Sequence, residues 1–416
     1  MSAAWRRAVA VLRSGEWLDP RAMRKYAALL LALETAGFLF LIAGTHGWIV
    51  PLTRPTTTDF VSFYAAGQLA NAGTPWLAYN QAAHYAAEQL ATAPGIEYQF
   101  FYYPPVFLLL CALLARLPYY AAFIGFEAAT LAGYLCVACA ILRERDWRIL
   151  LPLLAFPAVF WTLGLGQNAF LTAALFGAAT LTIDRRPILA GLLFGTLCYK
   201  PHFGLLVPLA LACGGRWRAF AAAAAATLLL CGLSLLLFGA ETWQAFAAAA
   251  GASPAVYQSG RIDLAGFTSP FGLVLTLGGA PTLAYLAQAI ATTIAATLVA
   301  WVWLRRGGLA ERAATLAAAA PIAAPVALLY DLMLGSVAAL WLVRSGREAG
   351  FLPWEKSSLA ALFVMPIMAR GVGDAWHVPI AALTALGLLA LAAGRLWRRA
   401  GRLSAATPAA ARAPSR

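Results

Sequence analysis

The chain has 416 residues, of which 62% are hydrophobic and 11% charged, less than half the roughly 25% charge of a soluble domain. That much apolar surface exceeds what a core of this length can hide, so the bilayer must solvate most of it and a soluble globular protein is excluded. A net charge of +13 would suggest nucleic acid in a soluble chain, but here the basic residues cluster at the ends of apolar runs, so no nucleic-acid partner is expected.

In chain order, residues 1–25 carry basic residues, a short broken apolar stretch and no Ala-x-Ala cleavage site, and read as a retained cytoplasmic lead. Apolar runs long enough, or nearly long enough, to cross the hydrocarbon lie near 26–50, 119–142, 149–163, 168–183, 187–199, 202–213, 219–239, 281–304, 309–328, 330–343, 356–369 and 377–395. The fold class expected is therefore all-α, a polytopic membrane protein of about twelve transmembrane helices. The runs at 187–199 and 202–213 are short, which places them beside a thinned membrane or beneath a water-filled cavity. With the N-terminus inside, the cytoplasmic junctions hold 25 of the 30 basic residues, which fixes the orientation. The outer side keeps Arg54, Lys200, Arg261 and Arg370, and each needs a local reason to be there.

Residues 104–115 are apolar but too short to span, and read as an interfacial or re-entrant helix started by Pro104-Pro105. Residues 51–102 and 240–268 form outer segments too long to be turns. The first contains two amphipathic stretches, 60–70 and 81–90, expected to lie along the membrane surface. The alanine tract 221–226 suits close-packed spans. All six cysteines sit in or beside apolar runs, so they read as packing residues, the Cys136/Cys139 pair included.

Polar residues gather on one side. The outer ends read Thr-Thr-Thr-Asp-Phe at 56–60, Phe-Tyr-Tyr-Pro-Pro at 101–105, Gly-Leu-Gly-Gln-Asn at 164–168, Tyr-Lys-Pro-His at 199–202, Gln-Ser-Gly-Arg-Ile-Asp at 258–263, Tyr-Asp at 330–331 and Arg-Gly-Val-Gly-Asp-Ala-Trp-His at 370–377. One outer-face site needing a base, cations and aromatic surfaces explains them together. Asp59 suits a general base for a hydroxyl, or else caps the helix after it. Lys200 is expensive at depth without an anion, such as a phosphate, unless it snorkels to the headgroups. Arg261 and Arg370 offer guanidinium forks for phosphate oxygens, with Asp263 as the alternative partner of Arg261. Gln167 and Asn168 either bond sugar hydroxyls or cap the helix from Ala169. Asp331, at a helix start, is the second candidate base. Glu34 and Glu127 lie inside spans, where interhelical hydrogen bonding as neutral acids is expected. No metal-ligand spacing is present.

Thr58-Asp59-Phe60 with Tyr64 and Gly67, Tyr102-Tyr103-Pro104-Pro105, Gly166-Gln167-Asn168, Lys200-Pro201 and Tyr330-Asp331 after Pro325 together resemble the polyprenyl-phosphate-sugar-dependent glycosyltransferases of family 87. The resemblance implies a GT-C membrane fold, a polyprenyl-phosphate hexose donor, commonly mannose, and inversion at the anomeric carbon without metal or other cofactor. It implies Asp59 as the base, Lys200 and Arg261 holding the leaving phosphate, and Tyr102, Tyr103, Gln167, Asn168 and His202 framing the sugar; beside these, Arg370 is a further candidate phosphate ligand, and Tyr64 and Asp331 are further candidates around sugar and acceptor. The acceptor would be a glycolipid or envelope glycan at the periplasmic face of a bacterial inner membrane. Ahead of Tyr330 the chain has Ala-Pro-Val-Ala-Leu-Leu, where relatives often carry an aromatic, histidine or acidic residue.

The expected organisation is a cytoplasmic lead (1–25), a membrane catalytic core (26–345) with outer loops 51–118 and 240–280, carboxy-terminal helices (346–395) and a basic cytoplasmic tail (396–416). Two other classes compete. A permease would spread ionisable groups near the midplane and on both faces, whereas these motifs share one face. A catalytically inactive envelope-assembly relative would carry nearly the same sequence.

Overall fold

The computed structural model describes residues 2–43, 58–258, 263–305 and 307–406; Arg54, Arg261 and the end of the basic tail lie outside the described residues. The described chain is helical, and its only β pairing is an isolated bridge between Phe267 and Leu328. Helix occurs in all twelve apolar regions. Among the described residues five helices are long and apolar enough to cross a membrane: Tyr119–Leu142, Trp217–Ser253, Pro281–Leu304, Glu355–Trp376 and Ile380–Arg398. A sixth would combine Trp147–Leu154 with Pro157–Leu165, which meet at 71°. The bend falls at Phe156, whose backbone is extended ahead of Pro157, because a residue before proline is driven out of the helical region.

The centre is a thin, alanine-rich helix, Leu309–Ala323, in which every residue from Ala310 onward is buried. Helices Pro281–Leu304, Leu332–Ala349 and Ile380–Ala406 pack on it. Small side chains permit that crowding, as they do where Gly191 and Gly195 meet Ala219, Ala222, Ala223 and Ala226 of the neighbouring helix. Ion pairs tie the helix ends away from the polar motifs. Arg143 and Glu348 meet at 3.2 Å, Arg347 and Glu144 at 3.4 Å, and Arg312 and Asp184 at 2.9 Å.

Several expectations need correction. The stretch 60–70 does not lie along a surface: helix Phe60–Asn71 is buried from Phe60 to Gly67. Gly67 is what lets helix Pro105–Leu114 cross it, since a Cβ there would sit 2.1 Å from the Cys111 carbonyl oxygen. Residues 240–258 are not an open loop but continue helix Trp217–Gln258 past a break at Gly239. Glu34 and Glu127 are buried, yet neither carboxyl makes the interhelical hydrogen bond expected of it.

Candidate active site

The polar motifs converge on one cavity of about 840 Å³, whose wall includes Asp59, Tyr102, Tyr103, Gln167, Lys200, His202, Asp331 and Arg370. Local chain geometry places each of them. The Asp59 N–H donates to the Leu165 carbonyl at 2.6 Å. The next residue, Gly166, turns the chain with φ 67°, and a Cβ there would come within 2.9 Å of Thr58 and Phe60. Only glycine accepts both the left-handed backbone and that proximity.

Asp59 stands immediately before helix Phe60–Asn71, but its side chain makes no capping bond. Its Oδ2 instead accepts a hydrogen bond from Gln167 Nε2 at 2.7 Å, and Gln167 Oε1 accepts from the Tyr103 hydroxyl at 3.2 Å. Burial pushes the Asp59 carboxyl up to about 6, against the opposing pull of Gln167, Arg370 and Lys200. Glutamine is therefore neither a cap nor a free sugar ligand here. Asn168 begins helix Ala169–Thr182 without a side-chain cap and lies buried behind the cavity wall.

Lys200 ends the short helix Leu197–Tyr199 and is almost fully buried, with Nζ 2.9 Å from Asp331 Oδ1. The rings of Tyr330, Phe203 and Tyr103 surround the ammonium at 5.2, 5.4 and 5.9 Å. Snorkelling is therefore not its role. Asp331 accepts the Leu328 N–H on its other oxygen at 3.0 Å, so each of its oxygens already has one donor. Asp331 and Lys200 are held in place by zippered loops: Thr268 N donates to the Ala327 carbonyl and the Ser269 hydroxyl to that of Pro325.

Arg370 Nε pairs with Asp263 at 2.8 Å, and its guanidinium lies 5.0 Å from the Trp161 ring centroid. Asp263 thus has Arg370 as its partner; Arg261, the partner expected from sequence, lies outside the described residues. Tyr102 stacks on Phe100, and His202 packs edge-on against Phe203. Tyr64 does not reach the cavity, because its hydroxyl donates to the Leu117 carbonyl at 2.8 Å. Sequence reasoning missed Glu97, Gln99 and Trp161 on the wall. Glu97 and Gln99 alternate with aromatics just ahead of Phe101, a visible signal, whereas Trp161 sits in an apolar helix with none.

Behind the wall, His84 and Glu88 are fully buried on helix Gln81–Ala91. His84 Nε2 lies 3.0 Å from the Ser62 carbonyl, and the Glu88 carboxyl accepts the Gln99 N–H. Burial pushes His84 down to about 4 and Glu88 up to about 9, so both are neutral near pH 7.

The fold and site are those of a helical membrane protein with a large polar cavity that holds a carboxylate of raised pKa and two paired cations. Residues 101–329 match the model for glycosyltransferase family 87. That is more than half of the chain, which belongs to this family and is a membrane glycosyltransferase. No curated protein and no solved structure matches it.

Proposed function

We propose that the protein is a GT-C-type enzyme that transfers a hexose, mannose in the first instance, from a polyprenyl-phosphate donor to a hydroxyl of a glycolipid or envelope glycan. The observation that carries this reading is the convergence of Asp59, Lys200 and Arg370 on one cavity, of a size suited to a sugar and its phosphate. The acceptor oxygen attacks the anomeric carbon from the side opposite the phosphate, and Asp59 takes its proton. The bond from that carbon to the phosphate oxygen breaks with its electron pair leaving on the polyprenyl phosphate, and the configuration inverts.

A carboxylate titrating near 6 is mostly ionised at pH 7 yet close enough to that pH to share a proton in the transition state. Lys200 uses one N–H on Asp331, and Arg370 uses Nε on Asp263; their remaining N–H groups suit the growing charge of the leaving phosphate. Tyr102 and His202 supply walls for the sugar. Motifs gathered at one helix end, with the basic clusters at the other, support a multi-pass inner-membrane protein with cytoplasmic termini and a periplasmic site.

The test is transfer of labelled mannose from polyprenyl-phosphate mannose to envelope extract by purified protein in detergent. Label with wild type and none with Asp59→Asn is expected. Absence of transfer by wild type with mannose, glucose and arabinose donors would overturn the proposal.

A further inference from the structure

We propose that Gln167 and Tyr103 are positioning residues for the base, and that they dedicate one of its oxygens, Oδ1, to the acceptor's proton. This rests on the reading of Asp59 as the base. A carboxylate only accepts hydrogen bonds, so the Gln167 amide must turn its nitrogen to Asp59 Oδ2, which it meets at 2.7 Å. Its carbonyl then points away and needs a donor of its own. Tyr103 provides that donor at 3.2 Å, and burial holds the phenol well above its usual titration, so the hydroxyl stays protonated.

Each part of this chain is fixed from behind. The Tyr103 ring stacks on Phe107 at 4.5 Å and meets Phe63 edge-on at 5.3 Å. The Gln167 N–H is tied to the Thr162 carbonyl at 3.1 Å, and the same turn receives the Asp59 N–H through Leu165. Base and clamp are thus both anchored to the turn 162–167. Among the described residues Oδ1 has no hydrogen-bond partner, and Asp59 lines the cavity. Because the amide's carbonyl and one N–H are committed, as is the phenolic proton, these two side chains serve the carboxylate in preference to the sugar.

Asp59 is faced by Arg370 and Lys200, which favour its ionised form, and by Glu97, which opposes it; Glu88, raised to about 9, stays neutral while Asp59 titrates. Gln167 is the only group that donates a hydrogen bond to the carboxylate among the described residues. Loss of the Tyr103 hydroxyl frees the amide to rotate and bring Oε1 towards Oδ2, which disfavours the ionised base.

The experiment measures kcat/KM against pH, together with donor KM, for wild type, Tyr103→Phe, Gln167→Leu and Asp59→Asn. The acid limb is expected to move up by about one pH unit in Tyr103→Phe and Gln167→Leu, with donor KM within about twofold of wild type. An unmoved acid limb with a tenfold rise in donor KM would make both residues sugar ligands and overturn the proposal. Near-normal turnover in Asp59→Asn would instead remove the base assignment, so the two failures are distinguishable. Tyr103→Phe deletes a single oxygen and keeps the test available if Gln167→Leu does not fold.

A separate surface lies at the amino terminus. Helix Ala3–Ser14 has no buried side chain; Trp5, Val11 and Leu12 are exposed. At 100° per residue Trp5, Ala8, Val9 and Leu12 share one face, and Arg6, Arg7 and Arg13 the other. The helix carries no acidic residue and is pinned where two apolar helices begin: Trp354 N donates to the Arg13 carbonyl at 2.8 Å, and the Ser357 hydroxyl to that of Leu12 at 2.7 Å. Arg21, Arg24, Lys25 and Lys356 extend the basic cluster.

We infer that this helix lies in the interface of the protein's own bilayer and binds anionic phospholipid headgroups, for which an apolar face and a polybasic cluster beside spans are the recognised chemistry. The test is hydrogen exchange of residues 3–14 in the full-length protein, in phosphatidylglycerol and in phosphatidylcholine nanodiscs. A helix this short is marginal in water, so exchange at least about tenfold slower in phosphatidylglycerol is expected, with the difference lost in Arg6→Gln/Arg7→Gln/Arg13→Gln. Equal rates in the two lipids, or an unaffected triple variant, would overturn the inference.

Discussion

Replacing Asp59 by asparagine is expected to abolish transfer while making the protein more stable near neutral pH. Burial moves the carboxyl from its ordinary 3.8 to about 6, so ionisation is harder in the folded state. A raised folded pKa means the stabilising contribution is complete below about 3.8 and disappears as pH rises through about 6. At pH 7 the ionised side chain then costs about 3 kcal/mol, at about 1.4 kcal/mol per pH unit. Asparagine is isosteric and does not titrate. Its carbonyl can still accept from Gln167, so most of this cost should be relieved. The measurement is unfolding in mixed detergent at pH 4 and pH 7, with transfer assayed in parallel. The asparagine variant should gain about 1–3 kcal/mol over wild type at pH 7 and little at pH 4, with activity down at least about a hundredfold. A gain independent of pH, or a loss of stability at pH 7, would refute the reasoning and mean that Arg370 and Lys200 more than offset the burial.

Lys200→Met should destabilise the protein by about 3–5 kcal/mol because it strands Asp331 in a buried site, and the double variant with Asp331→Asn should recover most of that loss in detergent unfolding without recovering transfer. Gly166→Ala should cost about 1–2 kcal/mol, and the displaced turn should lower kcat more than it alters donor KM. His84→Phe removes the ring nitrogen's added bond to the Ser62 carbonyl, which keeps its place in the helix ladder, and should cost about 1 kcal/mol, read as slightly earlier thermal unfolding. Wild-type transfer should rise with pH through about 6, because the base must be ionised, and a rate flat from pH 5 to 8 would argue against Asp59.

Much of the architecture was legible because it depends on composition and order along the chain. Apolar runs settle that this is a helical membrane protein, and helix occurs in all twelve expected regions, although among the described residues five or six helices, not twelve, are long and apolar enough to span. The motifs carrying Asp59, Tyr103, Gln167, Lys200, Asp331 and Arg370 were legible too, since polar residues at the ends of apolar runs are conspicuous. Their convergence on a single cavity also followed from counting helix ends.

Partnership was not legible, because it depends on distances between residues far apart in sequence. Lys200 and Asp331 are 131 positions apart, and nothing in either motif states that each neutralises the other. Asp59 is 108 positions from Gln167, and both looked like helix caps, since a short polar residue before a helix has the same local pattern whether its side chain turns back to the backbone or across to a neighbour. Tyr64 looked like a ligand for the mirror-image reason: it follows Asp59 by little more than one helical turn, yet packing rotates its hydroxyl to Leu117. Helix Phe60–Asn71 looked like a surface helix because sequence shows only its own faces, and only the tertiary structure supplies the helices that cover them. The sequence by itself determined which residues are polar and where the apolar helical runs lie. Tertiary structure alone decided which donors each carboxylate meets among the described residues, Gln167 for Asp59 and Lys200 with the Leu328 N–H for Asp331, because that depends on which groups packing brings within about 3 Å.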